Sequence, residues 1–120
     1  MTKRKGQQTF RKKLIRSIGY CEVTASQLCL AMDACHIKPV CLCDDKERMD
    51  PHNSLLLLSS IHRVFDAGLI SFSDDGEILV SSELDLWELP ALGIDPTKRL
   101  RMPGNRPEYM KYHRNNIYKP

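Results

Sequence analysis

Residues 34–70 read ACHIKPVCLCDDKERMDPHNSLLLLSSIHRVFDAGLI, and the order of apolar runs within them decides the fold. Ala34 to Val40 reads as a strand running into a loop, because Pro39 has no amide hydrogen to continue a helix. Cys41 to His52 carries Asp44, Asp45, Lys46, Glu47, Arg48 and Asp50, which predicts a solvated, mobile loop. Leu55 to Leu58 is too short for a helix and reads as a buried strand. Ser59 or Ser60 is placed to cap a helix from Ile61 to about Ala67, stopped by Gly68. Strand, strand and helix in this order make a compact α+β unit. His36 falls near the end of its first strand, and Asn53 opens the second. His62 and Asp66 lie four residues apart on the helix, so their side chains share a face.

Outward from this unit, Phe10, Leu14, Ile15 and Ile18 recur at helical spacing and predict a helix from Gln7 to Ser17, ending at Gly19. Residues 1–6 read as a flexible basic arm. Cys21 to Met32 reads as a strand or an irregular link. Downstream, Leu69–Phe72 and Glu77–Val80 flank Ser73-Asp74-Asp75-Gly76, and an Asp-Gly pair between apolar runs predicts a hairpin. Ser82 to Leu92 reads as a short helix interrupted by Pro90. A final helix is predicted from Pro107 to Ile117. The 120 residues suit one domain, taken as residues 7–120 with its ββα core at about 32–68.

The chain has 18 Lys plus Arg against 15 Asp plus Glu, a net charge of +3, and the excess sits at the ends. Lys3, Arg4, Lys5, Arg11, Lys12, Lys13 and Arg16 crowd the start with no acid among them. Lys98 to Lys119 is basic again, opposed only by Glu108. Two basic ends around an acidic middle suit a protein that grips phosphates beside its working site. No signal peptide or membrane span is legible, and five cysteines without a secreted spacing pattern predict a reducing cytoplasm. Cys41 and Cys43 are one residue apart, closer than the usual zinc-knuckle spacing.

His36, Asn53 and His62 are the residue types that phosphodiester hydrolysis requires. An unperturbed histidine titrates near pH ~6.5, so at neutral pH it can take a proton from water. A divalent cation held by His62, and by Asp66 if it joins, would place positive charge on the phosphate and the departing oxygen. Asn53 cannot change charge, so its amide suits fixing a loop or orienting the base histidine.

With these pieces in order, the chain resembles the His-Asn-His endonucleases, the ββα-metal or His-Me finger family, and specifically a restriction-like branch. The likeness is carried by Gly6-Gln7-Gln8-Thr9-Phe10-Arg11, Cys21-Glu22-Val23-Thr24, Ala34 to Pro39, Asn53 to Leu57 and His62 to Ile70. The hairpin and Glu108 to Asn116 complete it. The resemblance implies a His-Me finger core with an added β-hairpin and flanking N- and C-terminal helices. It implies a DNA endonuclease with His36 as general base, Asn53 as the middle asparagine and His62 as a metal ligand. Asp66 stands where some branches place a further ligand, with a structural role for the Phe-Asp-x-Gly element as the alternative in this branch.

Many relatives carry Asp or His where this chain has Cys35, so Cys35 either fills space or ligates a soft ion. Asp33 is a substitute ligand only if the strand bends. The implied cofactor is one divalent ion, magnesium first, with manganese, nickel or zinc as alternatives. The implied partner is double-stranded DNA, gripped by Lys3, Arg4, Lys5, Lys38, Arg63 and Arg114. A homodimer is the expectation for double-strand cutting, and no membrane partner is expected. Three alternatives stand beside this reading: a non-cutting DNA binder on the same scaffold, a small zinc-binding interaction module built on the cysteines, and one domain of a longer enzyme.

Overall fold

The computed structural model describes residues 3–120, with Lys3 to Gln7 described by backbone alone. Its centre is an antiparallel pair, β1 (Met32–His36) and β2 (Ser54–Leu58), in the register Met32↔Leu58 through His36↔Ser54. One further rung, from the Ile37 amide to the Asn53 carbonyl at 3.0 Å, extends the ladder past His36. Pro39 then ends the strand, which is therefore shorter than the predicted run to Val40.

The segment from Val40 to Asn53 is not the mobile loop its charges suggest. A 3-10 turn at Val40–Leu42, the helix α2 (Asp45–Met49) and a second 3-10 turn at Pro51–Asn53 fill it. Asp44 and Glu47 form a capping box on α2, each side chain satisfying the other's backbone amide at 2.8 and 3.0 Å. Local capping turns a run of solvated charges into an ordered element, which a count of polar residues cannot show.

After β2 the chain turns directly into α3 (Ser59–Asp66). Neither Ser59 nor Ser60 caps it: Leu58 takes that position without a side-chain bond, and the Ser59 hydroxyl donates to the Ala31 carbonyl at 3.2 Å. Ile61 and Phe65, four apart, are fully buried, so the next stripe round the helix carries His62 and Asp66 outward. Amides of Gly68 and Leu69 bond the carbonyls of Phe65 and Val64, closing the helix in a Schellman motif. Gly68 has φ +77°, and a Cβ there would meet the Ile117 carbonyl oxygen at 2.2 Å, so no other residue fits.

Two helices brace this unit. α1 (Lys3–Ser17) begins at Lys3, so the backbone of residues 3–6, expected as an arm, is helical. Arg11 of α1 donates to the carbonyls of Met32 and Cys29, both at 2.7 Å, and so fixes the start of β1. α5 (Arg106–Asn116) buries Arg106, Met110 and His113 along one face. The predicted hairpin is present as β3 (Ile70–Phe72) with β4 (Ile78–Val80). The helix expected over 82–92 contracts to α4 (Glu88–Ala91), preceded by turns. Residues 21–31 form turns and a 3-10 segment, the irregular link of the two expectations, yet Glu22 imitates a strand. Its amide donates to the Leu56 carbonyl and its carboxylate accepts from the Leu56 amide, both at 2.9 Å.

Leu14, Leu55, Leu56, Leu57, Ile61, Phe65 and Met110 belong to one core shared by α1, the β1–β2 pair, α3 and α5. Among the described residues no helix is long and apolar enough to cross a membrane.

Candidate metal and base site

Side chains alternate across a strand, so Cys35 and His36 leave opposite faces of β1. Cys35 faces α3. Its sulfur lies 3.7 Å from Asp66 Oδ1, and the Asp66 Oδ2 lies 3.0 Å from His62 Nε2. Ligand atoms of Cys35, His62 and Asp66 all fall within 4.8 Å of one another, close enough to hold one ion. The other ring nitrogen, His62 Nδ1, lies 2.9 Å from Asp33 Oδ2.

Flanking carboxylates set the charge state of this cluster in the metal-free protein. The Asp66 hydrogen bond, helped by that from Asp33 and opposed by partial burial, pushes the His62 pKa up to about 9. The imidazolium thus occupies the gap between two carboxylates. Burial, with Asp66 and Asp33 adding negative charge nearby, pushes the Cys35 thiol well above its ordinary value. An ion entering here must displace protons from both groups, which makes its binding pH-dependent.

His36 sits on the other face. Its ring stacks on Phe10 of α1 with centroids 5.1 Å apart and planes 17° from parallel. Nε2 lies 3.1 Å from the Arg48 carbonyl oxygen of α2. A carbonyl only accepts, so Nε2 carries the hydrogen and the lone pair of the neutral ring is on Nδ1.

Asn53 is fully buried, and its role is fixing the loop. It makes no hydrogen bond to His36. Its Oδ1 accepts from the Lys38 amide at 2.9 Å, while Nδ2 donates to the Glu47 carbonyl at 3.1 Å and approaches Cys43 Sγ at 3.4 Å. Asn53 therefore pins α2 one residue before the carbonyl that holds His36. From α5, Tyr109 donates to Asp50 at 2.8 Å and ties down the far end of the same segment.

The basic residues expected at DNA whose side chains are described divide into two groups. Lys38 is committed to Glu47 at 2.9 Å and lies over the Tyr112 ring, and Arg114 to the Phe72 carbonyl and Asp74, both at 2.8 Å. Those two act as braces of the fold, Lys38 within the α2 segment and Arg114 between α5 and the hairpin. Arg63 is exposed beside His62 and makes no ion pair among the described residues. The side chains of Lys3, Arg4 and Lys5 lie outside the described residues.

His113 is a core residue: it stacks on Phe65 at 3.8 Å and bonds Ser71 Oγ and the Phe65 carbonyl. Cys41 is exposed and Cys43 is buried against the carbonyls of Lys38 and Pro39. Neither belongs to a group of ligand-type residues among those described. Phe10 and Tyr109 entered the sequence reading only through helical spacing and the segments that carry the resemblance, and the Arg48 carbonyl not at all, because each acts across a contact distant in sequence.

Residues 21–73 match the model of a family described as HNH endonuclease, less than half of the 120-residue chain. That segment runs through β1, α2, β2, α3 and β3, and so contains His36, Asn53 and the Cys35, His62 and Asp66 cluster. No curated protein matches the chain.

Proposed function

We propose that the chain is a metal-dependent DNA endonuclease of the His-Asn-His type, with His36 as general base and Cys35, His62 and Asp66 as metal ligands. The observation that carries this reading is two chemistries on the two faces of β1: on one face Cys35 meets His62 and Asp66 of α3 in a sulfur, nitrogen and oxygen donor set, and on the other stands the oriented imidazole of His36. The matching family segment supports it. The resemblance of residues 6–11 and 108–116, outside the matched segment, extends the reading to the restriction-like branch.

The donor set fits a divalent cation. A sulfur among the ligands favours zinc, nickel or another borderline-soft ion over magnesium, which prefers oxygen. A bound ion supplies Lewis-acid charge for the scissile phosphate and the departing oxygen. The protein's own residues supply the rest. Phe10 and the Arg48 carbonyl hold the His36 ring so that Nδ1 accepts the proton of the attacking water. Asn53 maintains the Arg48 carbonyl in place. Arg63 offers a phosphate contact one residue from His62.

Cleavage of supercoiled plasmid with zinc, nickel, manganese or magnesium tests the proposal. Wild type should cut with at least one ion, His36→Ala should lose about 10²- to 10⁴-fold in rate, and His62→Ala should lose zinc binding. Cutting unchanged in His36→Ala would overturn the base assignment. Folded protein that cuts with none of the ions would overturn the enzyme reading.

A further inference from the structure

We infer that Asp33 is a positioning residue for this site, holding His62 in the tautomer and ring orientation that turn Nε2 toward Cys35 and Asp66. The inference rests on the metal-binding reading above. Asp33 and Cys35 are two apart on β1 and so project from the same strand face, the face toward α3. Cys35 reaches Asp66, while Asp33 reaches His62 Nδ1 at 2.9 Å.

The geometry separates Asp33 from the ligands themselves. The two nitrogens of an imidazole diverge, and Asp66 lies 3.0 Å from Nε2, on the opposite side of the ring from Asp33. An ion bound at Nε2 is therefore beyond the reach of a carboxylate bonded at Nδ1, and Asp33 is absent from the cluster of mutually close ligand atoms. Carboxylates only accept, so in the metal-free protein both ring nitrogens carry hydrogens; once an ion takes Nε2 and draws Asp66 to itself, Asp33 keeps the Nδ1 hydrogen bonded and holds the ring in that orientation. Without Asp33, the Nδ1 lone-pair tautomer and a flipped ring also become accessible, and each must be reversed before an ion binds. A hydrogen-bond partner on the far nitrogen of a ligating histidine is worth about 10- to 100-fold in metal affinity. Asp33 is 41% exposed, so water competes for it and the effect on folding should be small.

The test is zinc affinity by competition titration for wild type, Asp33→Ala, Asp33→Asn and His62→Ala, with the His62 tautomer in the zinc-loaded proteins read by nitrogen-15 NMR. Asp33→Ala should bind zinc about 10- to 100-fold more weakly. Asp33→Asn, which keeps an acceptor oxygen, should recover most of that loss and retain the Nδ1–H signature. Equal affinities for wild type and Asp33→Ala, with binding still abolished by His62→Ala, would overturn the inference and leave the metal site standing. Asp33→Asn losing zinc as completely as His62→Ala would make Asp33 a ligand and also overturn it. Wild type that takes up no zinc or nickel would overturn the site and the inference together.

Discussion

Replacing Asn53 by alanine separates the two halves of the candidate site. The substitution deletes an acceptor for the Lys38 amide and a donor for the Glu47 carbonyl, in a pocket with no solvent access at residue 53. A buried polar group left without its partner costs about 1–3 kcal/mol. Lys38 is partly exposed, and water can recover some of its loss, so the sum should be about 2–4 kcal/mol. For a chain of this size that lowers the melting temperature by about 10 °C or more. It remains within the ~5–15 kcal/mol of an ordinary domain, so the variant should fold at room temperature. The functional consequence is selective. Cys35, His62 and Asp66 belong to β1 and α3, so zinc affinity should stay near wild type. The Arg48 carbonyl loses its anchor, so cleavage should fall toward the level of His36→Ala. Asn53→Asp should do no better, because it turns a carboxylate oxygen toward the Glu47 carbonyl. Urea denaturation, zinc titration and plasmid cutting on one preparation decide the matter. Cleavage that survives a clear loss of stability would refute the link from Asn53 to the base, and zinc affinity that falls with cleavage would refute the division of the site.

Two further outcomes follow from buried charge. Arg106 and Glu22 pair at 2.9 Å with both side chains 3% exposed, and Arg106 also bonds the carbonyls of Ser54 and Arg101. Arg106→Met should cost about 3–5 kcal/mol by stranding a carboxylate, and adding Glu22→Gln should restore part of it; a single-variant loss under about 1 kcal/mol in urea denaturation would count against the pair as a clasp. In metal-free protein, His62 holds its proton more tightly folded than unfolded, so its stabilisation is complete below pH ~6.5 and is lost as pH rises through about 9. Allowing for its half-exposed carboxylate partners, that is worth about 1–2 kcal/mol. His113 has the opposite sign: burial lowers its pKa, so stability falls as pH drops below ~6.5. Urea midpoints measured against pH in chelator should therefore peak near neutrality, and His62→Gln should flatten the alkaline limb; an unchanged alkaline limb would sink the His62 assignment.

The ββα unit was legible because its signals are local: Pro39 ending a strand, four leucines, a stop at Gly68, and His62 and Asp66 one turn apart. Of the donor cluster, helical spacing put His62 and Asp66 on one face, while Cys35 entered only through the family resemblance, with space-filling as its alternative; its approach to Asp66 is a contact across 31 residues. What could not be read lies in contacts that span the chain. Within the charged segment 41–52, the Asp44-x-x-Glu47 spacing is a capping-box signature that the surrounding charge masked, and nothing local shows that the next carbonyl holds His36. Arg114 and Lys38 looked like phosphate contacts because charge in a sequence does not reveal whether an acid elsewhere has already claimed it. Asp33 was read as a ligand only if the strand bent; it needed no bend, because it meets the other nitrogen of the ring.

The distances in sequence between these contacts also give the site an order of assembly. β1, β2 and α3 lie within residues 32–66, while the Tyr109–Asp50 and Arg106–Glu22 bonds close loops of 59 and 84 residues. Short loops close with less entropy lost than long ones, so the finger can form early and its braces late. On a ribosome, the chain would possess its metal-binding half before the segment that orients His36 is locked by α5. Nascent chains arrested before Asn105 also lack Met110 and the His113 ring stacked on Phe65, so zinc uptake by them would show that β1, β2 and α3 hold the donor cluster without α5, and efficient cutting would show that the late brace is dispensable. The α5 helix would thus act late in assembly, locking the segment that holds His36 only after β1, β2 and α3 have met.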